Sequence, residues 1–297
     1  MARHALQPTQ ARNAPIEVRA PVIQSAPVIF SSPHSGRAYD ANFVTASQLD
    51  PLTLRRSEDS FVDELFADAP DAGAPLIHAL YPRAYLDPNR EPWELDPGMF
   101  DGPLPGFVNT GSARARNGFG TIARAVAGGA EIYRHKLPFD LAEDRIRSLY
   151  VPYHDALRAL IQATLSRFGV AVVIDCHSMP SGDEAHGRPS GPQGRPDIVL
   201  GDRYGTSCAR GLTERVETTL RAMGYRVARN RPYAGAFITT NYGRPEMGVH
   251  ALQIEINRAL YMDERRMTRS PGLARLRTDL GRLIEALGAI ESDELLD

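Results

Sequence analysis

The sequence predicts an α/β protein whose sheet is covered by helices on both faces. Three observations carry that prediction. A run of β-branched apolar residues, Val170, Val172, Val173 and Ile174, stops at Asp175 and reads as a fully buried strand. An amphipathic pattern from Glu143 to Phe168 leads straight into it, with Gly169 placed to end the helix, which makes an αβ unit. Short apolar segments then alternate with helical ones to the end of the chain, as a sheet flanked by helices requires.

Taken in order, residues 1–20 read as a loose N-terminal arm, and one domain is expected over 21–297 because no linker interrupts it. Val28 to Ser31 forms a strand. A helix is expected over Ser57 to Ala69, with Phe61, Val62, Leu65 and Phe66 on one face. Pro75 to Leu80 is a second strand. Residues 91–130 are rich in proline and glycine without periodicity, and so long a loop is usually functional. Pro152 should kink the 143–168 helix near its start. Residues 181–196 are low in apolar content and read as a flexible loop. A strand over 197–202, a helix over 206–223 and a strand over 225–228 follow. Val249 to Ile256 alternates, placing His250, Leu252, Ile254 and Ile256 on one side and Ala251, Gln253 and Glu255 on the other. A closing helix over 273–290 carries Leu276, Leu280, Leu283, Ile284 and Leu287 at helical spacing.

Bulk properties exclude several classes. The 297 residues are 42% hydrophobic and 24% charged, with a formal charge of −2, so neither nucleic acid nor an anionic membrane is an expected partner. Lys136 is the single lysine against 33 arginines among 34 basic residues, which leaves little room for P-loop, Schiff-base or Ser–Lys chemistry. Cys176 and Cys208 make neither a disulfide framework nor a Cys-x-x-Cys pair. No apolar stretch approaches a membrane span and the N-terminus lacks a signal-peptide core, so a cytoplasmic protein is expected. Nucleophile-elbow, Walker, Gly-x-Gly-x-x-Gly and His-Glu-x-x-His motifs are absent from the sequence.

Histidines and carboxylates at strand ends remain. His34, in Pro33-His34-Ser35-Gly36, and His177, in Asp175-Cys176-His177-Ser178, each follow a buried strand, where open α/β folds place ligands. Isolated histidines such as His78 read instead as surface or satisfied core residues. A hydrolytic zinc site needs about three protein ligands and an open position. Glu58, Asp59, Asp63 and Glu64 offer the third. Glu255, alone on one side of an apolar strand, suits the proton-transfer role. Arg83 and Arg90 flank Asp87-Pro88-Asn89, and arginine forks beside a metal suggest an anionic substrate.

These segments, with Tyr150-Val151-Pro152-Tyr153-His154, Tyr242-Gly243-Arg244-Pro245-Glu246-Met247-Gly248-Val249-His250 and Gln253-Ile254-Glu255, resemble the N-formylglutamate amidohydrolase (deformylase) family. The resemblance runs in order from about residue 25 to 265. It implies a fold similar to zinc carboxypeptidases and aspartoacylases, a mixed, mostly parallel sheet flanked by helices, with one Zn2+ per chain. It implies His34 and His177 as ligands and Glu255 as general base. Family members carry an acid 28 residues before the Asp of their Asp-Leu-Asn-Arg motif, which points to Asp59, with Asp63 one helical turn away as the fallback. Arg90 and Arg83 would bind the substrate carboxylate, and Asn89 would orient it. The implied substrate is a small anionic N-acyl amino acid such as N-formyl-L-glutamate.

The chain departs from the family pattern in three places, one of them the loop from about 91 to 140, with Trp93, Arg114 and Arg116. Thr239-Thr240-Asn241-Tyr242-Gly243 stands where Thr-Arg-His-Tyr-Gly is usual, and Pro88 replaces a leucine. Arg244 is the candidate to replace the lost arginine. A metal carboxypeptidase or amidase acting on peptides or cell-wall fragments, and a non-catalytic binding protein, are the alternatives. A thiol enzyme using Cys176 beside His177 is disfavoured because strand neighbours face opposite ways.

Overall fold

The computed structural model describes residues 14–182 and 195–295. Its centre is a seven-stranded sheet in the order β1-β3-β2-β4-β7-β5-β6. The strands are β1 (Ile16–Arg19), β2 (Val28–Ser32), β3 (Leu76–Ala79), β4 (Ala171–Met179), β5 (Ile198–Gly201), β6 (Val227–Arg229) and β7 (Val249–Asn257). Strands β3, β2, β4 and β7 are mutually parallel. β1 joins one edge antiparallel to β3, and β5 pairs antiparallel with β7 at the other side. The sheet is therefore mixed and mostly parallel, as expected.

β4 and β7 form its spine, each nine residues long and wholly buried. Alternation divides their side chains between two cores. Val172, Ile174 and Cys176 of β4 lie with Leu252, Ile254 and Ile256 of β7 in one core, which the helices Arg210–Ala222 and Gly272–Gly288 cover. Ala171 and Val173 lie with Val249 and Ala251 in the other, beneath the helices Val151–Phe168 and Phe237–Tyr242. On this second face the apolar run gives way before the strands end. Asp175 pairs with Gln253, and His177 pairs with Glu255 on the next rung of the same face. The polar edge of the sheet is thus built by the register of its two central strands.

Several segments differ from expectation. β4 runs on to Met179 and contains His177, because β7 beside it continues the ladder through the polar rungs. The expected N-terminal arm contains β1, whose Glu17 accepts from His78 Nε2 at 2.7 Å; residues 1–13 of it lie outside the described residues. Most of the expected 181–196 loop, residues 183–194, also lies outside them. The expected 57–69 helix is reduced to Val62–Leu65. Phe61 interrupts it in the left-handed region at φ 69°, its ring centroid 5.2 Å from the Arg37 guanidinium and 4.5 Å from that of Arg269. The helix expected from Glu143 begins at Phe139 and passes through a π-helical turn, Ile146–Tyr150. Pro152, which has no N–H to donate into the preceding turn, accounts for that irregularity. Residues 91–130 have little regular structure but are packed, with Leu95, Phe100, Ile122 and Val126 buried. No helix among the described residues is long and apolar enough to cross a membrane.

Gly36 lies where the chain leaving His34 passes the end of β3. A Cβ there would sit 2.0 Å from the Tyr81 carbonyl oxygen, a backbone atom that cannot yield cheaply. Gly36→Ala is expected to lower unfolding stability by more than about 2 kcal/mol, the scale of enforced overpacking. Urea unfolding of the variant beside the native protein checks this.

Candidate functional site

Three segments deliver ligating atoms to the carboxyl edge of the sheet. His34 lies two residues past β2, His177 sits near the end of β4, and Asp59 is on the connection that follows the 3-10 turn Arg55–Ser57. The Asp59 N–H donates to the His34 carbonyl at 3.0 Å, which fastens two of these segments together. His34, Asp59 and His177 are all buried and offer one ligand atom each, all within 4.8 Å of one another. Asp59 Oδ2 lies 2.9 Å from His177 Nδ1 and 3.4 Å from His34 Nδ1.

The far side of each imidazole is committed. His34 Nε2 donates to Asp87 Oδ1 at 2.6 Å, and His177 Nε2 lies 3.0 Å from Asp175 Oδ2. The carboxylate on His34 Nε2 fixes that ring's tautomer and turns its Nδ1 lone pair inward, the arrangement that raises ligand basicity at metal sites. His177 Nε2 also lies 2.9 Å from Asn89 Nδ2. With Nε2 protonated on both rings, three acceptors converge. A proton shared between Asp59 and His177 answers one contact, but buried His34 Nδ1 has no hydrogen-bond partner. A cation at the point of convergence would satisfy all three atoms, and the two-nitrogen, one-oxygen donor set suits zinc. The residues present fit such an ion.

Electrostatics follow from burial. Burial opposes the Asp59 carboxylate, yet the two facing histidines hold its pKa well below the usual range. Burial also opposes the His177 imidazolium, while Asp175 and Asp59 raise its pKa well above the ordinary value. Glu255 differs. Burial dominates and pushes its carboxyl up to about 7, against the pull of His177 and Arg83. Gln253 Nε2 donates to Glu255 Oε1 at 2.6 Å and fixes its orientation.

Asp87 is the hub of the second layer. It accepts from His34, from the Asn89 N–H at 2.8 Å and from Arg83 at 2.6 Å. Asn89 Nδ2 lies 3.0 Å from Asp175 Oδ2 and 2.9 Å from His177 Nε2, and Asn89 Oδ1 accepts from the Ile238 N–H at 2.8 Å, so it orients protein groups. The 139–168 helix clamps the same segment from behind. Tyr150 donates to the Arg90 carbonyl at 2.8 Å, and His154 Nε2 donates to the Pro88 carbonyl at 2.8 Å. His154 Nδ1 then accepts from the Tyr242 hydroxyl at 2.7 Å. Burial pushes the His154 pKa down to about 4, consistent with a neutral bridge.

A cavity of about 380 Å³ opens onto the site, lined by Asp59, Asp87, Glu255, Arg56, Arg83, Arg258 and Tyr233 among others. The 91–130 segment supplies part of its wall through Phe119, Gly120, Ala123 and Ala125. The structure therefore brings together His34, Asp59, His177, Glu255, Asn89 and Arg83. It does not bring in three other candidates. Asp63 pairs with Arg37 at 2.9 Å, because left-handed Phe61 lies between it and Asp59 and no continuous helix puts the two acids on one face. Arg244 is exposed and donates to the Thr240 and Gly243 carbonyls. Its backbone pairs with Val249 at the start of β7, six residues or ~20 Å of strand from Glu255. Arg90 donates to the Phe119 and Asn89 carbonyls and is absent from the cavity lining.

Sequence reasoning missed Arg258, Arg56 and Tyr233. Buried Arg258 donates to Asp59 Oδ1 at 3.1 Å, the Glu58 carbonyl at 2.6 Å and Ser178 Oγ at 3.2 Å. The break of the apolar strand at Asn257-Arg258 was the available signal for it. Arg56 and Tyr233 gave none.

With this geometry in view, the similarities to known proteins can be read. The model of the N-formylglutamate amidohydrolase family matches residues 26–262. The N-formylglutamate deformylase of Pseudomonas aeruginosa is 32% identical over 247 residues, covering 80% of this chain and 83% of that protein. The N-formylglutamate deformylase of Pseudomonas putida is 29% identical over 243 residues, covering 80% and 82%. The crystal structure of the N-formylglutamate amidohydrolase of Ralstonia eutropha JMP134 superposes with a TM-score of 0.87 at 38% identity, over 93% of this chain and 98% of that one. A structure from Agrobacterium tumefaciens shares the fold, with a TM-score of 0.67 at 18% identity over 94% and 96%. On the length of these matches, the chain belongs to the N-formylglutamate amidohydrolase family.

Proposed function

We propose that the chain is a zinc-dependent amidohydrolase that splits N-formyl-L-glutamate, or a close N-acyl relative, into a carboxylic acid and the free amino acid. The observation that carries this reading is the convergence of His34 Nδ1, His177 Nδ1 and Asp59 Oδ2, with Glu255 on the rung beside His177. Family membership and the names of the relatives support the substrate class. His34, Asp59 and His177 would hold the ion. A bound zinc ion supplies Lewis acidity for the amide carbonyl and a lowered pKa, near ~7, for a water it holds.

The chain's own residues do the rest. Glu255 takes the proton from the attacking water and hands it to the departing nitrogen, a cycle suited to a carboxyl poised near 7. Gln253 keeps one Glu255 oxygen engaged so that the other faces the substrate. Arg83, held at one N–H by Asp87, has further N–H groups for a substrate carboxylate. Arg90 braces the Asp87–Asn89 segment from which that arginine is positioned. A cavity of about 380 Å³ suits an N-acyl amino acid better than a peptide.

The direct test is release of formate and glutamate from N-formyl-L-glutamate by purified protein, before and after chelation and zinc restoration, with metal content measured alongside. Zinc-dependent release is expected; a protein that binds no zinc overturns the reading. His177→Ala should lose both metal and turnover. Asp87→Asn, which leaves His34 without its carboxylate, should weaken zinc affinity about 10–100-fold in competition with a chelating dye. Glu255→Gln should keep stoichiometric zinc and lose at least ~10²-fold in kcat. The pH dependence follows in sign. Glu255 must be ionised to accept a proton, so kcat/KM should rise with pH along an acid limb. That limb should lie at or below about 7, because a bound dication favours the carboxylate. It should disappear in Glu255→Gln.

A further inference from the structure

The charged groups lining the cavity are matched in number: carboxylates at Asp59, Asp87 and Glu255, guanidiniums at Arg56, Arg83 and Arg258. The ion that the ligand atoms fit would bring two positive charges to this balance, so the substrate best suited to it carries two negative ones. The three arginines are not equally free to meet them. Arg258 is spent on Asp59, two backbone carbonyls and Ser178. Arg83 is committed in part to Asp87. Arg56 is exposed, lines the cavity, and its side chain has no hydrogen-bond or ion-pair partner among the described residues. Its neighbour Arg55 is the one turned inward, pairing with Glu58 at 2.9 Å and 3.1 Å.

Arg56 is also rigidly presented. It stands in the 3-10 turn Arg55–Ser57, three residues before Asp59. Its own carbonyl accepts from Arg258 NH1 at 3.2 Å, while the same guanidinium grips the Glu58 carbonyl and the Asp59 carboxylate. The backbone that places the metal ligand therefore places Arg56 at the cavity wall. We infer that Arg56 is the specificity-determining residue that selects an acidic side chain, pairing with the distal carboxylate while Arg83 takes the α-carboxylate. The inference rests on the amidohydrolase reading above and deepens it by naming the residue that reads the substrate's side chain. The distal carboxylate would meet a charged fork with all its donors available, whereas the neutral amide of a glutamine analogue would meet it without charge assistance.

The test compares kcat/KM for N-formyl-L-glutamate and N-formyl-L-glutamine in native protein, Arg56→Ala and Arg56→Lys, with zinc content verified. Calorimetric binding of L-glutamate and L-glutamine is measured on the same proteins. In Arg56→Ala the preference for the glutamate substrate should shrink about 10–100-fold, mainly through KM, and the binding preference for glutamate should shrink with it. Arg56→Lys should keep an intermediate preference. A preference ratio left unchanged by Arg56→Ala, including an equal loss on both substrates, overturns the assignment. Native protein that binds glutamate no better than glutamine overturns it whatever its turnover. Native protein that binds glutamate selectively through Arg56 but cleaves no N-formyl amino acid leaves the subsite standing and removes the amidohydrolase reading.

Discussion

Everything at this site depends on one constraint: three buried acceptor atoms are aimed at a single point. Asp59 Oδ2 and the two Nδ1 atoms of His34 and His177 would repel one another without positive charge between them. Burial makes that constraint sharp, because an unpaired lone pair costs more in a low-dielectric surrounding. The surrounding structure removes the alternatives. Asp87 occupies the outer nitrogen of His34, and Asp175 and Asn89 together enclose that of His177, so both rings are held in place. Arg258 holds the second Asp59 oxygen, which leaves Oδ2 to face the histidines. Each partner that fixes a ligand is itself fixed, and the layers reach from the cavity wall back to the 139–168 helix.

The fold supplies this precision through register and through one irregular helix. Parallel pairing of β4 with β7 sets Asp175 beside Gln253 and His177 beside Glu255, so these four polar side chains share one face. A slip of one residue in either strand would send its two polar side chains into the apolar core on the other face. The π-helical turn ahead of Pro152 is followed immediately by a stretch whose side chains, with Tyr150, hold the loop carrying Asp87 and the carboxyl end of β2. Tyr153 meets Ser31 Oγ at 2.8 Å, and His154 links the Pro88 carbonyl to Tyr242. Such turns are frequent at functional sites, and here the consequence is a braced second layer.

The two short-motif departures from the family sequence pattern fall in different places. Pro88 lies in the segment around Asp87, and its carbonyl is the group that His154 holds. Thr239 and Thr240 belong to the short helix Phe237–Tyr242, where both hydroxyls donate to the Ala236 carbonyl. No arginine enters the cavity from that helix, and Arg244 beyond it closes the helix end instead. The cationic wall of the cavity is drawn from Arg56, Arg83 and Arg258, two of which lie near Asp59 in sequence or in space.

By itself the sequence determined the alternation of strands and helices, the buried β4 and β7, and the histidines that follow apolar strands. These are local facts, since β-branched runs and strict alternation report burial directly. It also determined the family, because six short motifs occur in order. It could only count toward Asp59, and it left Asp63 open because a helix was the natural reading of residues 57–69. The left-handed Phe61 that separates the two acids is stabilised by Arg37 and Arg269, contacts that no local pattern reveals. Arg244 failed for a related reason. Nearness in sequence to a strand says nothing about which end of it a side chain occupies, and Arg244 lies at the wrong end of β7. Arg258, Arg56 and Tyr233 are functional candidates only because distant segments enclose one cavity. The strands and the histidines at their ends are written in neighbouring residues; the convergence of Asp59 on them, the arginines and the cavity were decided by which segments the tertiary fold packs together.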